Sequence, residues 1–192
     1  DKFCYIFFLI KNKCLFVEQY NPEKLEFKNR ENIAVLNAPC GNVIIELYPN
    51  VAPKSVERFK FLIKKGEYNN VAFHRVIKNT LVQAGDLEFG KKNNLNYSYI
   101  GSGKSGYGSI NSELNYPFEF TAGTVALART NQKNTEDSQF FILLVDAPLY
   151  QGEYSPVGKV IFGLDVLRKI KFDEKVEYVL RPDFINTFKL LK

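Results

Sequence analysis

Phe73-His74-Arg75-Val76-Ile77, running on to Leu81-Val82-Gln83-Ala84-Gly85-Asp86, and Ser138-Gln139-Phe140-Phe141-Ile142 each set charged or amide side chains inside an apolar run. Side chains alternate between faces along a strand. Gln83 therefore shares a face with Leu81, and Gln139 with Phe141. An arginine at position 75 of an otherwise apolar strand is costly unless its guanidinium reaches a pocket or a partner. One arginine, two glutamines and a phenylalanine place hydrogen-bonding groups beside an apolar slot. That chemistry suits a neutral peptide group next to a compact hydrophobic ring.

Outward from these segments the chain reads as many short strands. Ile33 and Val35, then the turn Pro39-Cys40-Gly41-Asn42, then Val43, Ile45 and Leu47 give strand, turn, strand. Further strands are expected at Val71–Ile77, Leu81–Ala84, Thr124–Ala128, Phe140–Val145, Val157–Ile161 and Ile185–Leu190. Pro53 to Lys65 repeats Val56, Phe59, Leu62 and Ile63 at helical spacing, with proline at its start and Gly66 at its end. Leu164–Ile170 is a second short helix. Only two helices among so many strands favour a closed or sandwiched β architecture over alternating βαβ units. At the start, the apolar run Phe3–Ile10 is too short for a bilayer span, which needs ~20 residues. With Cys14–Val17 across the polar Lys11-Asn12-Lys13, it reads as a hairpin, followed by a polar connector to Asn32. The same run also has the length of a signal-peptide core, so secretory or organellar targeting stands beside a cytoplasmic location.

The 192 residues are 45% hydrophobic and carry a net charge of +5, which excludes a wholly disordered chain. The lysines are scattered rather than clustered, so no nucleic-acid partner is expected. His74 is the only histidine, and the three cysteines are Cys4, Cys14 and Cys40, which excludes a multi-histidine or four-thiolate metal site. The odd cysteine count argues against a full disulfide framework, although Cys4 and Cys14 could pair across the hairpin. His74 reads as a structural, hydrogen-bonded residue, and Glu136–Asp137 as a solvated loop. Gly101-Ser102-Gly103-Lys104-Ser105-Gly106 satisfies a dinucleotide fingerprint by letter, but neither a buried strand before it nor a helix after it is indicated. It reads as a flexible glycine loop. Ser138 lacks the G-x-S-x-G elbow of a serine nucleophile.

FHRVI…LVQAGD, SQFFI, the opening GNVIIELYPNVAPKSVERF, the GTVALART stretch and the late PVGKV…LDVL segment stand in the order found in cyclophilins. From about Asn32 to Lys192 the chain resembles that family of peptidyl-prolyl cis-trans isomerases, with bacterial-type features and an expanded loop around 91–105. The resemblance implies a closed eight-stranded antiparallel β-barrel capped by two helices, preceded by an extension at 1–31. It implies rotation about X–Pro bonds in proline-containing peptides or proteins, to assist folding, with no cofactor. It gives Arg75 and Gln83 catalytic roles. Phe141, Leu81, Gln139, Thr130, Tyr154, Phe73 and Thr80 fall to substrate binding. It also reassigns the glycine loop to the barrel surface. Three positions depart from the pattern. Thr80 replaces a usual aromatic, which is expected to weaken proline affinity and reduce activity. Tyr154 stands where a histidine is common. Leu149 stands near a usual tryptophan, so cyclosporin binding is expected to be weak at most. The alternatives are a non-catalytic proline-peptide or assembly module on the same fold, and a nucleotide-binding protein resting on the glycine loop alone.

Overall fold

The computed structural model describes residues 13–191. Eight antiparallel strands form one curled sheet: β1 (Ile33–Ala38), β2 (Gly41–Leu47), β3 (Arg75–Ile77), β4 (Leu81–Ala84), β5 (Thr124–Leu127), β6 (Phe140–Leu143), β7 (Pro156–Phe162) and β8 (Thr187–Leu190). Their order is β3-β4-β6-β5-β7-β2-β1-β8. "Closed" overstates this barrel, because β3 and β8 form no ladder with each other. The irregular stretch before β8 spans the gap instead. Isolated bridges join Ala72 to Phe184 and Arg75 to Tyr178. Backbone bonds from Phe73 N to Asp183 O, Val76 N to Glu177 O and Val179 N to His74 O, each 2.9 Å, complete the seam.

Alternation sorts the side chains. Val76, Val82, Ala84, Val125, Leu127, Phe140 and Ile142 point into the main core. There they meet Val56, Phe59, Leu62 and Ile63 of helix α1 (Pro53–Lys64) and Val166 and Leu167 of the short helix α2 (Leu164–Leu167). Four rings lock the centre: Phe140 lies 5.1 Å from Phe59, 5.3 Å from Tyr68 and 6.0 Å from Phe188. Ala52 offers α1 no capping side chain. The carboxylate of Glu113 does so from a distant loop, accepting from Lys54 N at 3.1 Å and Ser55 N at 2.8 Å. This satisfies two free N–H groups and places negative charge at the positive end of the helix dipole.

The N-terminal expectations divide. Phe3–Ile10 lies outside the described residues. Cys14–Val17 is a turn and not the second strand of a hairpin. Cys14 is bonded to Cys40, with Cα atoms 5.1 Å apart, so it is not paired with Cys4. Cys40 sits at the β1–β2 turn, and the segment after Cys14 runs along that hairpin. Gln19 Nε2 donates to Cys40 O at 2.9 Å, Asn42 Nδ2 donates to Tyr20 O at 3.0 Å, and Val17 is buried in the main core. Among the described residues no helix is long and apolar enough to cross a membrane.

Candidate active site

The strand register builds the site. Arg75 lies opposite Gln83 across β3–β4, Gln83 opposite Phe141 across β4–β6, and Phe141 opposite Ala126 across β5–β6. Directly opposed residues share a face, so three of the predicted site residues form one cross-sheet row on the face turned away from the main core. Leu81 follows on the same face, two residues from Gln83. With Phe120, Ala126, Phe141 and Leu143 it forms a second, separate apolar cluster.

The polar half of the row is a chain of hydrogen bonds. Arg75 NH1 donates to Gln83 Oε1 at 3.1 Å, and Gln83 Nε2 donates to Gln139 Oε1 at 3.0 Å. Gln139 Nε2 donates to the carbonyls of Gly101 and Gly103, both at 2.9 Å. On its other side, Arg75 Nε donates to Glu177 Oε2 at 2.7 Å. The guanidinium thus has the partners its position requires, and it remains 28% exposed to a ligand. Beside it opens a cavity of about 540 Å³, lined in part by Gln83, Gly103, Thr130, Gln139 and Tyr178. Thr130 belongs to this cavity wall, its hydroxyl 2.9 Å from that of Thr135.

The apolar half is aromatic. Phe141 meets Tyr154 edge-on at 5.0 Å and Tyr150 edge-on at 5.7 Å. Arg129 stacks 5.0 Å over the Tyr154 ring while its NH2 donates to Glu153 Oε2 at 2.9 Å. Leu81 and the half-buried Ala128 pack in the same cluster, in which Leu81 and Phe141 are themselves buried. Thr80 sits in the β3–β4 turn next to Asn79, whose φ is +57°, and its hydroxyl donates to Lys78 O at 3.2 Å. Thr80 brings no ring to the slot. The rings beside Phe141 come from Tyr150 and Tyr154.

Four expectations change. Phe73 is fully buried and packs in the main core, apart from the cluster that holds Phe141 and Leu81 on the other face of the sheet. Glu136 and Asp137 are buried rather than solvated. Asp137 pairs with Arg58 and accepts from Ser105 N at 2.7 Å. The glycine loop is anchored rather than flexible. Buried Asp86 accepts from Gly101 N at 2.6 Å and Gly103 N at 3.1 Å through one oxygen, and from Glu88 N and Phe89 N through the other. A Cβ on Gly103 would overlap Asp86 Oδ1. His74 is buried, but among the described residues no partner meets either ring nitrogen at full hydrogen-bond geometry. Burial pushes its imidazole down to about 4, with the Asp86 charge, the Ala72 backbone and the Gln139 amide opposing the shift without offsetting it.

The family model for cyclophilin type peptidyl-prolyl cis-trans isomerase/CLD matches residues 33–188. The chain belongs to the cyclophilin family. It is 40% identical over 158 residues to a probable peptidyl-prolyl cis-trans isomerase of Brucella suis, covering 81% of this chain and 80% of that one. It is 34% identical over 139 residues to peptidyl-prolyl cis-trans isomerase B of Escherichia coli, covering 68% and 79%. A Cryptosporidium parvum cyclophilin solved in the presence of the dipeptide Ala-Pro superposes with a TM-score of 0.72 at 25% identity, covering 83% of this chain and 99% of that one. This cyclophilin is a peptidyl-prolyl cis-trans isomerase, and its family binds proline-containing peptides.

Sequence reasoning missed Tyr150, Ala128 and Glu177 in this cyclophilin's site. Tyr150 had a findable signal, an aromatic four residues before Tyr154 in a loop bounded by Pro148 and Gly152. Ala128 lay within the quoted GTVALART stretch, where its small side chain gives no mark. Glu177 lies in a stretch with no strand periodicity and reaches the site only through the seam.

Proposed function

We propose that Arg75, Gln83 and the slot around Phe141 carry out the isomerisation in this chain. The row that sets Arg75, Gln83 and Phe141 side by side on one face supports this reading most directly. Proline packs its ring against Phe141, Leu81 and Ala128, with Tyr150 and Tyr154 closing the far wall. The preceding peptide group then lies over Arg75. Rotation breaks amide resonance and faces a barrier of ~18–20 kcal/mol. In the twisted state the prolyl nitrogen regains a localised lone pair, which a guanidinium N–H can engage. The planar amide offers no such acceptor. Arg75 therefore binds the twisted state more strongly than either planar isomer. Gln83 holds one edge of the guanidinium by accepting from NH1. An acceleration of ~10⁶ needs roughly 8 kcal/mol of this preference.

Two further readings follow from other observations. The Cys14–Cys40 disulfide supports folding in an oxidising compartment. Leu149 is 89% exposed and offers no indole at the rim, which supports weak cyclosporin binding. The test of the central reading is catalysed isomerisation of a proline tetrapeptide. Arg75→Ala is expected to lower kcat/KM by about a hundredfold, the scale of losing one preorganised donor. Equal rates for wild type and Arg75→Ala would overturn the assignment.

A further inference from the structure

Arg75 is held from two sides, one of them by Gln83. The other partner is Glu177. Its Oε2 accepts from Arg75 Nε at 2.7 Å and stands 2.7 Å from NH2. A guanidinium carries five N–H groups in a rigid plane. With the Nε–NH2 edge against a carboxylate and one NH1 hydrogen on Gln83, both the plane and its rotation about the side-chain axis are fixed. One hydrogen on NH1 and one on NH2 remain for a ligand.

The carboxylate is itself fixed by the seam. Glu177 O accepts from Val76 N, Val179 N donates to His74 O, and Tyr178 bridges Arg75. Residues 177–179 thus run pinned beside 74–76. The Glu177 side chain is 52% exposed, and half-exposed ion pairs contribute ~0–1 kcal/mol to stability. Its removal opens no core cavity. The carboxylate also carries a disadvantage, since it partly neutralises the charge that Arg75 presents to substrate.

Building on the catalytic assignment of Arg75, we propose that Glu177 is a positioning residue that orients the Arg75 guanidinium over the prolyl bond, and that this orientation outweighs the charge it neutralises. The two effects predict opposite signs. If orientation dominates, Glu177→Ala lowers kcat. If charge dominates, the same substitution raises it.

The experiment measures kcat and KM for a proline tetrapeptide across Glu177→Ala, Glu177→Gln, Glu174→Ala and Arg75→Ala. Glu177→Ala is expected to lower kcat about tenfold while KM stays within about twofold, since misorientation acts mainly on the reacting geometry. Glu177→Gln retains an oxygen that accepts from Nε and is expected to recover to within about threefold of wild type. Glu174 serves as a control three residues away, paired with exposed Lys78, and its removal leaves the rate unchanged. In ¹⁵N spectra the Arg75 Nε–H resonance is resolved in wild type and Glu177→Gln and merges with the exchanging arginine signals in Glu177→Ala. An undiminished or raised kcat in Glu177→Ala overturns the proposal, as does an equal loss in Ala and Gln variants. Full activity in Arg75→Ala instead overturns the assignment of Arg75, and the role of Glu177 falls with it.

Discussion

Acidification is expected to remove ~3 kcal/mol of stability through His74 alone. The imidazole is buried and pushed from its ordinary 6.5 to about 4. In the unfolded chain it regains the ordinary value. Between those two pH values the unfolded state binds more protons than the folded state, so stability rises with pH across that window. The contribution is fully present above about pH 6.5 and is lost as pH falls towards about 4. At ~1.36 kcal/mol per pH unit, the gap of about 2.5 units gives ~3 kcal/mol. The side chain is 1% exposed, so solvent screening removes little of this. The assay is urea unfolding at about pH 7, 5.5 and 4 for wild type and His74→Phe, extrapolated linearly to water. Buried carboxylates also respond to acid, but they respond in both proteins. The difference in pH slope isolates His74, whatever the ring swap does to absolute stability. Parallel pH profiles for the two proteins would refute the reasoning, because the imidazole would then already be protonated or solvated in the folded state.

Gly103→Ala is expected to expel the glycine loop from Asp86, since the new methyl overlaps the carboxylate. Peptide binding on the Gln139 side should weaken while the apolar slot stays intact, read as raised KM for longer peptides. Cys40→Ser opens a cross-link with a sequence separation of 26. It should lower unfolding free energy by about 3 kcal/mol, and reductant added to wild type should reproduce the shift. Glu113→Ala removes the cap of α1 and should cost about 1 kcal/mol in denaturant unfolding, with catalysis unaffected.

Most of the fold was legible because alternation and turn residues are local signals. All six strands expected after the first hairpin and both helices formed near their expected places, with the strand at 71–77 shortened to Arg75–Ile77. The row of Arg75, Gln83 and Phe141 was legible for the same reason. Each residue interrupts or continues a period-two pattern, and a polar interruption on an apolar strand demands a purpose. What stayed hidden depends on partners far along the chain. Asp137 reads as loop because its burial is decided by Arg58 and Ser105. Cys14 gives no hint of Cys40, since the fold sets that distance. The glycine loop imitates a nucleotide motif because both uses need backbone close to a carboxylate or phosphate. Here the negative group is the chain's own Asp86. Phe73 was assigned to substrate by its place in a motif, and its packing in the core overrides that.

The lock on Phe140 also divides the proline slot into two walls of different evolvability. Phe140 and Phe141 are consecutive on β6, so the Phe141 ring, proposed to face the proline, inherits its position from the ring fixed by Phe59, Tyr68 and Phe188. A shift of Phe141 along β6 would also move Phe140 within the core. Tyr150 ends a single-turn 3-10 helix and Tyr154 follows in an irregular stretch, its ring under Arg129, which is paired with Glu153. The departures from the family pattern follow this division. Thr80 lies in a turn, Tyr154 in a bend and Leu149 in a single-turn 3-10 helix (Pro148–Tyr150), while Arg75, Gln83 and Phe141 all lie on strands. On the proposed assignment, preference for the residues around proline can be retuned from the Tyr150–Tyr154 wall, while Arg75, Gln83 and Phe141 stay tied to the strands.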